Sequence, residues 1–311
     1  MGEDKIAILL NPAAGKGRAE RAEAQLRNLL RQLEIPHELY LTRNEEELRS
    51  LTRKMACRFP VLVGAGGDST FQIMVNELMR LPNRPILGVI GLGSSNDIPR
   101  EFGVDSLAKA CLALKRGHTK AIDVGCLGSE KEDLLYFLGQ ANIGLGVVVN
   151  QDVEALARRI PWLGKRQTLA GLLAIANAYK QKKIPLPLAV ESAEGKTDGE
   201  FMSVLFSNIR YWATGRLMSP QARVDDGRLN ACLIRRCSLG RLLCLAQLAR
   251  QGRHIRAKEV SFLSSPVFTV RSEIALAIQA DGEILGGRTS PLLFTEVRVR
   301  VIPSALQLIA G

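Results

Sequence analysis

Val61-Leu-Val-Gly-Ala-Gly-Gly-Asp-Ser-Thr70 is the stretch of sequence from which the fold can be worked out. Its first three residues form a short apolar run, which predicts a buried β-strand. The residues that follow the stretch have apolar side chains at helical spacing: Phe71, Met74, Val75 and Leu78. A strand, a glycine-rich turn and a helix N-terminus together point backbone N–H groups at a phosphate. The stretch therefore predicts a phosphate-binding loop.

Asp68 lies inside this predicted loop. A bare carboxylate repels a phosphate, so its presence suggests that a cation accompanies the phosphate, and Mg²⁺ is the ion that prefers such oxygen ligands. The alternative interpretation is an ordinary strand–helix turn, in which Gly66 and Gly67 only permit a tight bend.

Length and charge narrow the class of protein. A chain of 311 residues is long for one hydrophobic core, which favours two domains. The net charge of +11 favours a nucleic acid, an anionic lipid surface or a phosphorylated small molecule as partner. Aromatic residues make up only 5% of the chain and are not interleaved with basic stretches, so we expect no nucleic-acid partner.

Cysteine and histidine usage argues against zinc sites and disulfides. The six cysteines form no CxxC pair and only three histidines accompany them, which favours a reducing compartment. The N-terminus lacks a signal-peptide pattern, and no apolar run reaches the roughly 18 residues of a membrane-spanning helix. We expect a cytoplasmic protein whose contact with an anionic membrane is peripheral, through the basic region Arg235–Lys258.

Strands and helices alternate through the first 122 residues. The predicted strands are Ile6–Leu10, His37–Leu41, a strand beginning at Val61, and Pro85–Ile90. The predicted helices are Arg18–Leu33, Glu45–Phe59 and Ser106–Lys115, the last with Ser106 as N-cap. This alternation indicates a parallel sheet with helices on both faces, an α/β domain.

The pattern becomes β-rich from Asp123 onward. The predicted strands are Leu134–Leu138, Leu186–Glu191, Phe201–Ser207, Arg228–Ile234, Phe268–Val270, Ile274–Ala280 and Glu296–Val301. Two helical stretches interrupt them, Asp152–Lys182, broken around Pro161, and Ser238–Gln251. We therefore expect an α/β domain over residues 1–122 and an all-β domain over residues 123–301.

Further short polar motifs flank the predicted strands. In chain order they are Asn11-Pro-Ala-Ala-Gly-Lys-Gly17, Gly66-Gly-Asp-Ser-Thr70, Gly93-Ser-Ser-Asn-Asp97, Asp225-Asp-Gly-Arg-Leu229 and Asp281-Gly-Glu283. The same order of motifs occurs in the diacylglycerol kinase-like family, which includes bacterial lipid kinases, sphingosine kinases and ceramide kinases. The chain resembles that family over nearly its whole length.

The resemblance implies a phosphofructokinase- and NAD kinase-like α/β domain followed by a C-terminal β-sandwich domain. It implies that residues 302–311 return to complete the first domain. It further implies that ATP lies in the cleft and that a lipid hydroxyl approaches from the second domain, so that the chain is an ATP- and Mg²⁺-dependent lipid kinase. Whether the chain forms a homodimer stays open.

By position, the resemblance assigns three sets of residues. Nucleotide contacts fall to Asn11, Gly15, Lys16, Thr42, Gly66, Gly67, Asp68, Ser69, Thr70, Ser94 and Asn96. Catalytic roles fall to Asp68, Asp97 and Asp123, as a carboxylate network that positions Mg²⁺ through water, and to Asp281 and Glu283, in the segment of the general base. A structural Mg²⁺ would use the carbonyls of Arg223 and Arg228 with the side chain of Asp226.

The chemistry of phosphoryl transfer agrees with these residue types. It requires a phosphate cradle, a metal, and a carboxylate that accepts the hydroxyl proton. Asp281 follows an apolar strand, and Glu283 would lie on the same side of an extended chain two residues later. Either could be the base, and the sequence does not separate them.

Each motif also has a purely structural interpretation. Asn11-Pro12 could be a plain turn, Asp97 a helix cap, Asp123 a hydrogen-bond hub, Asp225–Gly227 a β-turn, and Asp281-Gly282 a hairpin turn. Gly252–Arg256 is predicted to be a solvated basic loop, and the apolar face of Ser238–Gln251 to pack in a core.

The chain departs from the family pattern at Ser69, Ile73, Ser95 and Gly146. Ser69 would be strained if its position requires a positive φ. These departures motivate a second hypothesis, a catalytically weak homologue that binds nucleotide or lipid in a regulatory role. A third hypothesis is a kinase of a soluble substrate, of the NAD kinase type.

Overall fold

A computed structural model describes residues 5–130, 132–160, 167–287 and 290–311. The first part of the chain forms β1 Ile6–Leu10, α1 Ala14–Gln32, β2 His37–Leu41, α2 Glu45–Ala56, β3 Val61–Gly66, α3 Asp68–Leu78, β4 Ile86–Gly91, α4 Asp97–Glu101 and α5 Leu107–Arg116. The four strands pair in parallel in the order β4-β3-β1-β2. The predicted parallel α/β sheet is confirmed.

Local signals explain several of these element boundaries. The Ser106 hydroxyl accepts a hydrogen bond from Lys109 N at 3.3 Å, so the predicted N-cap of α5 is confirmed. The Asn44 side chain caps α2 in the same way, through Glu47 N at 2.9 Å. Helix α1 begins at Ala14, four residues before the predicted start.

The second part is dominated by antiparallel strands. Its elements are β5 Thr119–Gly128, β6 Asp133–Phe137, β7 Gln140–Gly144, α6 Leu145–Arg159, α7 Gln167–Lys180, β8 Leu186–Ser192, β9 Gly195–Ser207, β10 Tyr211–Trp212, β11 Arg216–Leu217, β12 Leu229–Arg235, α8 Leu239–Leu248, β13 Val260–Ser265, β14 Val267–Ala280, β15 Glu283–Ile284 and β16 Leu293–Ile309. The predicted break near Pro161 lies outside the described residues.

Two predicted strands are in fact one. Phe268–Val270 and Ile274–Ala280 both lie in β14, whose pairing with β16 shifts register between Arg271 and Leu276. The predicted helix from Asp152 begins earlier, at Leu145, directly after β7. None of the helices in the described residues is long and apolar enough to cross a membrane.

Two long strands connect the two parts. Strand β16 pairs with β14 between Leu293 and Arg300, with β5 between Arg298 and Ile309, and with β4 at Leu308. Its Val297 and Val299 lie in the core of the second part, whereas Leu306 and Leu308 lie in the core of the first. The predicted boundary at residue 122 falls inside β5, so we keep the domain division as a proposal.

The sheet of the second part is covered on both faces. On one face Phe206 packs against Phe268, with ring centroids 5.2 Å apart, in a core built from strands. The other face packs against α6, α7 and α8. Because side chains alternate along a strand, Ala141 and Ile143 of β7 lie in the core built from strands, and Gln140 and Asn142 face the helices. The candidate site lies under these helices.

Candidate active site

The loops singled out by the sequence lie at one edge of the parallel sheet. Asn11 follows β1, Thr42 follows β2, Gly67 follows β3, and Gly93–Asp97 follows β4. Strand β2 pairs on one side of β1 and β3 pairs on the other side, so the order of the strands reverses direction at β1. In open α/β sheets the ligand crevice lies at the carboxyl ends of the strands beside such a reversal. The loops are therefore where a nucleotide site is expected.

The loop from Gly66 to Thr70 is closely packed. Asn11 Nδ2 donates to Thr70 Oγ1 at 3.3 Å, and Thr70 N donates to Gly67 O at 2.9 Å. A Cβ atom on Gly66 would lie 2.3 Å from Thr70 Oγ1, and one on Gly93 would lie 2.6 Å from Gly67 Cα. The glycines thus allow the loops after β1, β3 and β4 to meet at the N-terminus of α3.

Three of the residues that depart from the family pattern have ordinary structural roles. Ser69 lies in the first turn of α3 and is not among the residues with positive φ, so the condition under which it would be strained is not met. Ile73 is 7% exposed and packs in the core of the first part. Ser95 donates to Asp97 Oδ2 at 2.7 Å and accepts from Thr214 N at 2.8 Å.

The other predicted nucleotide contacts are placed as follows. Asn96 has φ 54, and its side chain closes the turn. Its Oδ1 accepts a hydrogen bond from Gly93 N at 2.8 Å, and its Nδ2 donates one to Gly93 O at 3.2 Å. Ser94 beside it is exposed. Thr42 is buried and donates to Leu10 O at 3.2 Å. Gly15 has φ 62 near the start of α1, and the side chain of Lys16 lies outside the part of the chain that the structure describes.

Three carboxylates from distant parts of the chain line one cavity of about 410 Å³. They are Asp68 at the start of α3, Asp97 at the start of α4, and Asp281 in the turn after β14. Their negative charges interact: that of Asp97 acts on Asp68 and Asp281, and that of Asp281 acts on Asp68. Both parts of the molecule therefore contribute aspartates to this cluster of three carboxylates.

Asp281 is the most firmly held of the three. The residue has φ 46 and Gly282 has φ 90, which confirms the predicted hairpin turn. Its carboxylate accepts hydrogen bonds from Leu138 N at 2.8 Å, Gly139 N at 3.0 Å and Gln140 N at 2.8 Å. Burial raises the pKa of Asp281 to about 6, although these N–H groups oppose the shift.

Glu283 is placed differently from Asp281. Because the chain reverses at Asp281-Gly282, the extended geometry expected from the sequence is wrong, and Glu283 pairs with Ala280 in β15. The cavity lining includes Asp281 and Gly282 but not Glu283. Burial, and then the charge of Glu45, raise the pKa of the Glu283 carboxyl.

Asp97 and Asp68 differ in how well they are hydrogen-bonded. Asp97 Oδ1 accepts from Gly215 N at 2.7 Å and Oδ2 from Thr214 N at 3.1 Å, which ties the β10–β11 turn to the first part. Asp68 accepts only longer bonds, from Ile98 N at 3.2 Å and Asp97 N at 3.4 Å. Burial, with a further contribution from the Asp97 charge, raises the pKa of Asp68 to about 7.

Asp123 does not line the cavity with the other aspartates. It is 1% exposed and accepts from Gly227 N at 2.7 Å and Ser304 N at 2.8 Å. This side chain makes the hydrogen bonds of the hub considered in the sequence analysis, and its part in the predicted carboxylate network stays a prediction.

The turn directly before β12 carries the residues predicted to hold a structural Mg²⁺. Asp226 is exposed, and its Oδ1 accepts from Arg228 N at 3.0 Å. The side chain of Arg228 turns to Glu194 Oε1 at 2.8 Å, and Arg223 bonds Asp225 at 3.4 Å. These residues form a β-turn that is separate from the cavity, and an ion there stays a prediction.

The cluster of three carboxylates is chemically suited to Mg²⁺. All of its donors are oxygens, which is what this hard cation requires. No set of three or more His, Cys, Asp or Glu side chains within the described residues is arranged to hold a metal alone. Mg²⁺ usually takes one or two carboxylates together with water and substrate phosphates, and Asp68 with Asp97 fits that pattern.

Beyond the carboxylates the cavity is mostly apolar. Its walls come from α6, α7 and α8 on one side and from β9 and β12 on the other, and include Leu145, Val149, Ile175, Leu205, Ile234, Leu242 and Leu245. The sequence assigned the α8 face to core packing, and no periodic signal separates a core from a cavity wall. His254 also lines the cavity and is 1% exposed, so the prediction of a solvated loop is wrong for this side chain. The neighbouring Arg253 and Arg256 are exposed, as predicted.

Comparison with known proteins agrees with this arrangement. Residues 5–127 match the diacylglycerol kinase catalytic domain, and residues 139–310 match the YegS C-terminal NAD kinase beta sandwich-like domain. A diacylglycerol kinase of Bacillus subtilis is 26% identical over 289 residues, covering 90% of this chain and 89% of that protein. A probable lipid kinase YegS-like of Pseudomonas aeruginosa is 27% identical, covering 99% and 94%.

A solved structure supports the fold. The crystal structure of a diacylglycerol kinase from Bacillus anthracis superposes with a TM-score of 0.73 at 17% identity, over 100% of this chain and 98% of that one. Together the two matched models account for nearly all of the chain and for the α/β and β-sandwich halves. The chain therefore belongs to the diacylglycerol kinase-like family of lipid kinases, phosphotransferases that use an alcohol group as acceptor.

Proposed function

We propose that this protein transfers the γ-phosphoryl group of ATP, with Mg²⁺, to a hydroxyl of diacylglycerol or a related lipid. One observation carries the proposal. Asp68, Asp97 and Asp281 lie between the loops at the sheet edge and a largely apolar cavity. A polyphosphate at the loops and a lipid in the cavity would meet at these carboxylates.

The nucleotide side rests on the loops after β1 and β3. The backbone N–H groups at the start of α3 can receive phosphate oxygens, since the first turn of a helix leaves them unpaired. Asn11 holds Thr70 in place and so positions this loop. When bound, Mg²⁺ would neutralise negative charge on the phosphates, and Asp68 and Asp97 are the residues that would hold it.

On the acceptor side we assign the base to Asp281. As the lipid hydroxyl oxygen bonds to the γ-phosphorus, the bond from that phosphorus to the ADP oxygen breaks, and the hydroxyl proton passes to the Asp281 carboxylate. Three backbone N–H groups fix the position of this carboxylate. Its pKa of about 6 leaves it ionised at neutral pH yet basic enough to take a proton.

The apolar walls favour a lipid over a soluble acceptor. Leu205, Leu242 and Leu245 are each 1–2% exposed yet face the cavity, where an acyl chain can replace water at little cost. A soluble acceptor such as a dinucleotide would leave these walls facing polar groups. Ser69 and Ile73 fit their surroundings, so they give no structural reason to expect a weakened enzyme.

Phosphate transfer from labelled ATP to a panel of hydroxyl-bearing lipids, with and without Mg²⁺, tests this proposal. Labelled phospholipid should form only with Mg²⁺ and should be lost in Asp281→Asn. If folded wild-type protein produces no labelled lipid across the panel, the proposal fails. Phosphorylation of NAD instead would favour the soluble-substrate alternative.

We also propose that the protein reaches its substrate at an anionic membrane surface. Arg250, Arg253, Arg256 and Lys258 are exposed around the 39% exposed side chain of Ile255, next to the buried His254 that lines the cavity. Basic residues near anionic lipid contribute on the order of 1 kcal/mol each. Sedimentation should be stronger with anionic than with neutral vesicles, and equal sedimentation would contradict the idea.

A further inference from the structure

Most of the buried polar atoms left without a partner lie in one place. Within the described residues, four buried side-chain atoms have no hydrogen-bond partner: Gln140 Oε1, Asn142 Oδ1, Asn208 Oδ1 and His254 Nδ1. All but Asn208 belong to residues that line the cavity. Gln140 is 5% exposed and Asn142 is 2% exposed, so bulk water does not reach them freely. An occupant that displaces cavity water from such oxygens has to supply a donor in its place.

The two amide groups are held so that their oxygens are left for a ligand. Gln140 Nε2 donates to Tyr211 O at 2.8 Å, and Asn142 Nδ2 donates to Ser203 Oγ at 3.0 Å. A Cβ atom on Gly146 would lie 2.4 Å from Asn142 Oδ1, so only glycine there leaves room for this amide oxygen at the cavity wall.

Both amide side chains belong to the face of β7 that lines the cavity, and this strand begins beside the proposed base. Gln140 N donates to Asp281 Oδ1 at 2.8 Å. Asn142 is two residues further along β7 on the same face, about 7 Å from Gln140 along the strand. Apolar side chains of α6 to α8 line the same cavity. A ligand that places its reacting hydroxyl at Asp281 therefore meets these amides close to that hydroxyl.

We propose that the acceptor lipid carries, within a few bonds of the hydroxyl that is phosphorylated, a second hydrogen-bond donor received by Gln140 Oε1 and Asn142 Oδ1. The donor could be a second hydroxyl, as in a monoacylglycerol, or an amide N–H. This rests on the proposed function and narrows it. Diacylglycerol has only the reacting hydroxyl as a donor, and its ester oxygens would face the two amide oxygens as acceptor against acceptor.

A matched pair of lipids tests the inference. Monooleoylglycerol and the monooleate of 1,3-propanediol share the chain and the terminal hydroxyl, and differ only in the secondary hydroxyl. We expect monooleoylglycerol to bind the nucleotide-free protein in mixed micelles at least about tenfold more tightly, and to be phosphorylated with a correspondingly higher kcat/KM, since sites that pair a hydroxyl reject the analogue that lacks it.

Two variants separate hydrogen bonding from packing. Asn142→Leu removes one of the two acceptors and should lower the affinity ratio of the two lipids towards one. Val149→Ala, on an apolar wall of the same cavity, should weaken both lipids alike and keep the ratio. The wild-type ratio tests the inference even if Asn142→Leu folds poorly.

The outcomes distinguish this inference from the function on which it rests. Equal affinity of the wild-type protein for the two lipids, or binding of neither, would overturn the inference. A clear affinity preference without phosphate transfer to either lipid would support the inference and overturn the kinase proposal.

Discussion

Asp123 and Asp68 were predicted to belong to one carboxylate network, and their surroundings differ in kind. Asp123 accepts short hydrogen bonds from Gly227 N and Ser304 N, at 2.7 and 2.8 Å, which join segments far apart in sequence. Asp68 accepts only bonds of 3.2 and 3.4 Å and faces the charges of two other aspartates. The donors to Asp123 therefore stabilise contacts between distant segments, whereas the weakly hydrogen-bonded Asp68 keeps its oxygens available for a ligand in the cavity.

The largest expected effect is on catalysis at the cavity. Asp68→Ala and Asp281→Asn should each lower the rate of phosphate transfer at least about 100-fold. The first variant removes a proposed metal ligand, and the second removes the carboxylate of the proposed base. Initial rates with labelled ATP measure this, and circular dichroism checks folding. Asp198→Ala changes an exposed carboxylate of β9 and is the matched control. Full activity in Asp68→Ala would refute its assignment as metal ligand.

The contrast predicts the opposite result at Asp123. Asp123→Ala removes two hydrogen bonds made by a buried carboxylate and leaves Gly227 N and Ser304 N without this acceptor, and we expect a loss of roughly 2–5 kcal/mol in the free energy of unfolding. Urea denaturation measures it. The molecules that remain folded should keep a rate within about tenfold of wild type. A loss of activity at unchanged stability would place Asp123 back with the catalytic carboxylates.

The pH dependence of the reaction sharpens the comparison further. Asp281 must be ionised to take a proton, and its pKa is about 6. Below that pH kcat/KM should fall about tenfold per pH unit, and it should level off at higher pH. Rates measured between pH 4.5 and 8 test this. A flat profile would show that another group accepts the proton.

The smallest expected effect is on stability at Asp68. Its pKa is raised from 3.8 to about 7, so the folded protein holds this proton more tightly than the unfolded chain. The stabilising contribution is complete below pH 3.8 and is lost as the pH rises through 7. Asp68→Asn should therefore raise Tm at pH 8, by roughly 2–4 °C, and much less at pH 4. A larger gain at pH 4 than at pH 8 would contradict this origin.

Local chemistry made some features predictable from the sequence. The parallel strands, the Ser106 cap and the hairpin at Asp281-Gly282 depend on apolar runs and on backbone preferences that act within a few residues. The family motifs likewise marked Asp68, Asp97 and Asp281, since each follows a strand end.

Other features could not be read from nearby residues. Glu283 leaves the cavity because of the conformation of one turn, and His254 enters it although its neighbours in sequence are charged and exposed. The apolar face of α8 looks like any core helix until the opposing sheet is found to leave a space beneath it.

The alternation of strands and helices in the first part and the loops at its sheet edge follow from the amino-acid sequence by itself, because each depends on a few consecutive residues. The tertiary structure alone decided which aspartates line one cavity, which amide oxygens lack donors, and where the apolar cavity lies. Those properties arise where β5 and β16 cross between the two parts and where β7 pairs with β9 and β14, contacts between residues more than 50 positions apart.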